Sequence, residues 1–140
     1  MMERWLYLLR GFCTLVAGVF GFLYGNATPL LLALITFMII DYITGVICAA
    51  VKHELSSSVG AKGIIKKIVI ILIVAIAHII DTTIIKEGST METMTAFFYL
   101  ANEGISILEN AVFLGLPVPN GLKKLLLQVK EETDEGTPTE

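Results

Sequence analysis

The stretch that decides the fold is Asp41–Lys67, DYITGVICAAVKHELSSSVGAKGIIKK. It opens on a carboxylate set in apolar sequence and closes in a basic loop rich in serine and glycine. On either side lie the two most hydrophobic segments of the chain, PLLLALITFMII (29–40) and IVIILIVAIAHII (68–80). Apolar runs of this strength around a short charged loop read as two helices turning around in a membrane. The loop holds Lys52, Lys62, Lys66 and Lys67 against Glu54. Lysine and arginine are retained on the cytoplasmic side of membranes, so the loop is expected to be a cytoplasmic hairpin.

Composition agrees. The 140 residues are 55% hydrophobic and 16% charged, with mean hydropathy +0.78. A soluble domain of this size has too little interior to hide so much apolar surface. A single membrane domain, residues 1–122, followed by a charged cytoplasmic tail, 123–140, is the expected organisation. The net charge of −3 reflects acid gathered in EETDEGTPTE (131–140), and no basic surface suggests nucleic acid. Cys13 and Cys48 fall in apolar stretches and read as small core residues rather than a disulfide or metal pair. Nothing in the pattern asks for a cofactor.

Residues 5–24, WLYLLRGFCTLVAGVFGFLY, are long enough to cross about 30 Å of hydrocarbon. Arg10 interrupts the apolar run, and no small-residue cleavage site precedes a polar start. A retained first helix with a cytoplasmic N-terminus is therefore expected over a signal peptide. Cys13, Ala17, Gly21 and Gly25 recur every four residues and suit close helix packing, within a subunit or between copies. After a turn at 25–29, a second helix runs over 29–51. Asp41 near its middle should cost roughly 2.5–3.5 kcal/mol on insertion, while each large apolar neighbour returns roughly 0.3–0.6 kcal/mol. That helix inserts, and Asp41 must face other helices or water, with Thr44 a local capping partner.

A third helix is expected over 64–85, nearly all isoleucine, valine and alanine. Near its end His78 and Asp81 share a face; His78 reads as a packed or snorkelling residue, and Asp81 as the end of the buried span. The segment METMTAFFYLANEGISILENAVFLGL (91–116) is different. Glu92, Tyr99, Asn102, Glu103, Ser106, Glu109 and Asn110 fall within about a third of its circumference at 100° per residue. A fourth, amphipathic helix over 93–116 must join a bundle, line water or lie on the membrane surface. Pro117 and Pro119 stop it. The tail begins basic and amphipathic and ends acidic and disordered. About four transmembrane helices with both termini inside leave Lys86 as the one basic residue outside.

DYITG (41–45), the loop Leu55-Ser56-Ser57 with Gly60, Gly63 and Lys66-Lys67, and FFYLANEGISILENAVFLGLPVPNGLKKLL (97–126) resemble the bacteriophage and toxin-secretion holins of Gram-positive bacteria and their phages. The resemblance covers roughly residues 35–127. It implies a homo-oligomer in the bacterial cytoplasmic membrane that opens lesions, its cargo an endolysin or a secreted toxin. Asp41, Thr44, Gly45, Asn102, Glu103, Ser106, Glu109 and Asn110 become pore or assembly candidates. Dual translation starts, used by some holins, do not carry over, because Met1 and Met2 have nothing basic between them. No nucleophile–base pair or phosphate loop suggests an enzyme. Two alternatives stand beside the holin: a small four-helix proton-coupled exporter, and a regulatory or inhibitory partner of another holin.

Overall fold

Helix starts follow local chemistry. In the computed structural model, which describes residues 2–25, 28–86 and 88–135, Thr28 Oγ1 accepts a hydrogen bond from Leu31 N at 3.2 Å. Pro29, which has no N–H to lose, occupies the first turn that follows. Ser56 does the same for the next helix, its hydroxyl accepting from Val59 N at 3.3 Å. The described residues are mostly helical: α1 Met2–Tyr24, α2 Pro29–Val51, α3 Ser57–Ile79, α4 Thr90–Phe113 and α5 Asn120–Glu135. A π-helical segment, Ile80–Ile85, continues α3. The described residues contain no strand. Asn26 and Ala27 of the first turn, Glu87 of the α3–α4 loop and the tail from 136 onward lie outside the described residues.

Two boundaries depart from expectation. α3 begins at Ser57 rather than near residue 64, so Lys62 rides on the helix together with Lys66 and Lys67, and none of the three lies in the loop. The physical reason is the Ser56 cap, together with Tyr42, whose ring seats against Gly60 and Gly63. A β-carbon on either glycine would stand 3.4 Å from that ring or its hydroxyl. The tail is also helical through Glu135, because α5 folds back and packs along α4.

α4 is the hub. It packs against α2, α3 and α5, whereas α2 and α3 touch one another little. The core joins Leu31, Leu34 and Met38 of α2 to Ile70, Val74 and Ala75 of α3 and Ala96 of α4. The outward faces of α2 and α3 are aliphatic, with Ile39, Ile43, Ile47, Ile65, Ile68 and Leu72 all exposed. Two helical stretches, Pro29–Val51 and Ser57–Ile85, are long and apolar enough to cross a membrane. Helices apolar on the outside as well as the inside suit lipid, not water.

Among the described residues α1 touches α3 alone, and it exposes nearly all its described side chains. Ala17, Gly21 and Gly25 are exposed, and a β-carbon on Gly21 or Gly25 would meet nothing within 4 Å. These small residues thus have no packing partner among the described residues. Gly25 ends α1 at φ 63°, a left-handed conformation that glycine adopts without strain.

Candidate functional site

The polar residues of α2, α3 and α4 converge on one point. Asp41 of α2, Lys67 of α3 and Glu103 of α4 each lie ten residues from a helix end (Val51, Ser57 and Phe113). At about 1.5 Å per residue, all three sit about 15 Å from the α2–α3 loop end of the bundle. Lys67 Nζ donates to Asp41 Oδ2 at 2.8 Å and also to the Glu103 carboxylate. Their side chains are 17%, 15% and 6% exposed for Asp41, Lys67 and Glu103, so the ions rely mainly on one another. Removing one partner from such a buried set strands the others, which is why these groups act as a unit.

A second tier holds the aspartate. Asn110 Nδ2 donates to Thr44 Oγ1 at 3.0 Å and to Asp41 Oδ1 at 3.4 Å. Thr44 Oγ1 donates back to the Asp41 carbonyl at 3.1 Å, and Cys48 Sγ donates to the Asn110 carbonyl at 3.6 Å. Asp41, Thr44, Gly45 and Cys48 share one face of α2 by their spacing. Gly45 borders the same pair: a β-carbon there would stand 3.9 Å from Asn110 Nδ2, an ordinary contact.

Beside this centre lies a cleft of about 1100 Å³ between α2, α3 and α4, with Tyr42, Tyr99, Asn102, Ser106, Glu109 and Lys130 among its lining residues. The structure therefore brings together Asp41, Thr44, Gly45, Glu103 and Asn110, and leaves Asn102, Ser106 and Glu109 on the cleft wall. Lys67 moves from the expected loop into the centre. Lys62 and Lys66 are exposed on α3, and Lys52 lies 4.3 Å from the centre of the Phe113 ring. Lys67 was the residue the sequence hid. Its signal was depth, since it stands as far from the α2–α3 turn as Asp41 does.

A smaller polar cluster closes the other end. Asp81, 1% exposed, accepts from the backbone N–H groups of Met91 at 3.1 Å and Glu92 at 2.8 Å. It caps α4 from the π-helical segment, a task that Ser89 at the nominal cap position does not perform with its side chain. His78 Nδ1 lies 2.8 Å from Glu92 Oε2. His78 and Asp81 therefore join α3 to the start of α4 instead of merely ending a span.

An all-helical chain with two lipid-compatible helices around an ion centre is a small membrane protein. Residues 18–131 match the model of the bacteriophage holin family, and the chain belongs to that family. It is 36% identical over 117 residues to a probable holin of Bacillus phage phi105, covering 84% of this chain and 85% of that protein. An uncharacterized protein of Listeria innocua is 49% identical over 109 residues, 78% of this chain and 77% of its own length. Another, from Halalkalibacterium halodurans, is 42% identical over 127 residues, 88% and 94% of the two chains. No solved structure matches.

Proposed function

We propose that the chain is a lesion-forming holin of the bacterial cytoplasmic membrane. It assembles with copies of itself, crosses the membrane with α1, α2, α3 and α4, and keeps both termini inside. Its lesions release an endolysin or a secreted toxin; it performs no chemistry of its own. The observation that carries this reading is the buried Asp41–Lys67–Glu103 centre, within a chain of the holin family. On the proposed topology it lies about 15 Å into the membrane. Each charge there is costly in lipid and cheap beside water, so the centre favours a state with a wet interior. Such a protein holds two arrangements, one stored in lipid and one open.

The polar cleft also suits a second reading, a proton-coupled exporter, because carboxylates beside a mid-membrane cavity could carry protons. Expression of the chain in a bacterium, with and without a cytoplasmic endolysin, separates the two. The holin is expected to produce abrupt lysis that depends on the endolysin. Resistance to a lipophilic cation with no endolysin-dependent lysis would establish the exporter instead. A regulatory partner would do neither alone and would shift the lysis time of a second holin.

A further inference from the structure

α5 lies on α4 in a way that sets a condition on its surroundings. Leu126, six residues into α5, meets Gly104, nine residues before the end of α4, so the two helices run antiparallel. Gly104 adjoins Glu103, which places this contact at the depth of the charged centre. The contact is a fitted one. A β-carbon on Gly104 would stand 2.9 Å from Leu126 Cδ1 and 3.2 Å from Phe37 Cε1, so glycine lets Leu126 seat here without displacing its side chain or the Phe37 ring. Yet α5 carries Lys123, Lys124, Lys130, Glu131, Glu132, Asp134 and Glu135, and most of its described side chains are exposed.

A helix so charged cannot be surrounded by lipid at that depth, but water can surround it. Lys130 lines the same cleft as Glu103 and Glu109, which extends one polar surface from α4 onto α5. The polar residues of α4 do not supply that surface alone. Glu103 and Asn110 are engaged with Lys67, Asp41 and Thr44.

We infer that the α4–α5 hairpin belongs to the open, water-lined assembly: α5 docks against α4 as a lesion forms and makes part of its wall. While the membrane is sealed, α5 lies in the cytoplasm, away from Gly104. The inference rests on the hole-forming reading and adds an element to it.

The test uses the full chain with Cys13→Ser and Cys48→Ala, carrying Asn102→Cys on α4 and Lys130→Cys on α5, two positions that line the same cleft and leave the Gly104–Leu126 contact intact. A short membrane-permeant bis-maleimide is added to cells before and during release of a folded cytoplasmic reporter enzyme. Cross-linking within the chain, read as a gel mobility shift, is expected to rise at least tenfold as release begins. Equal cross-linking before and after release overturns the inference. Release with no cross-link overturns it too and leaves the hole-forming reading intact, whereas no release from the unmodified chain removes both. A second pair of variants guards against misfolding of the cysteine chain. At equal amounts in the membrane, Leu126→Asp is expected to lower reporter release tenfold or more and Leu126→Met to preserve it. Release by Leu126→Asp at the unmodified level overturns the docking role.

Discussion

Lys67 is held by two carboxylates, so its loss leaves Asp41 and Glu103 facing each other with no cation between them. Lys67→Met is therefore expected to lose roughly 3–5 kcal/mol of stability, the usual cost of orphaning a buried charge. Adding Glu103→Gln to that variant should recover part of the loss, because one stranded charge disappears. Thermal unfolding in detergent measures both; a single variant as stable as the parent would show that the centre is decorative. Asp41→Asn is the milder change, since an amide can still meet Lys67 through its oxygen and Asn110 remains nearby. It should insert as well as the parent or better, and delay lysis. Unchanged timing at equal protein levels would confine Asp41 to a structural role. Asp41 itself was legible in the sequence, because an acid inside an apolar run has few explanations. Lys67 was not, because Lys66-Lys67 beside a serine-glycine loop has the same composition as an interfacial basic patch. Only the register of α3, set by the Ser56 cap, separates exposed Lys66 from engaged Lys67.

Among the elements, α4 depends on its neighbours at both ends. Asp81 satisfies two backbone N–H groups at its start, so Asp81→Ala acts as the loss of a helix cap. Such losses cost roughly 0.5–2 kcal/mol. Amide exchange at Met91 and Glu92 should speed up by about tenfold, with each 1.4 kcal/mol counting as a factor of ten. Exchange unchanged there would mean that α4 starts without help from the π-helical segment. Helix starts marked by local residues, such as Thr28-Pro29, could be read directly from the sequence. The Asp81 cap could not, because it reaches across a loop from another element. α5 was hidden for a related reason. Its lysines and acids have the composition of a disordered tail, and its order comes from packing on α4, as at the Leu126–Gly104 contact between residues far apart in the sequence.

At the scale of the whole molecule, the proposal is an orientation as well as an activity. In intact cells, Ser89→Cys in the α3–α4 loop should react with an impermeant maleimide and Ser57→Cys at the start of α3 should not. Labelling of both Ser89→Cys and a cysteine placed in the tail from outside would replace the four-span arrangement with a final segment on the surface. In this proposal the apolar outer faces of α2 and α3 carry membrane residence, and the charged centre carries the need for a second, wetter state. That division leaves one measurement most direct. Wild type and Asp41→Asn are expressed alone, without endolysin, to equal amounts in the membrane, and a folded cytoplasmic reporter enzyme is followed in the medium against time. The expected result is sudden reporter release by the wild type and delayed or absent release by Asp41→Asn. A wild type that holds the reporter inside until the cells lyse for other reasons would contradict the account.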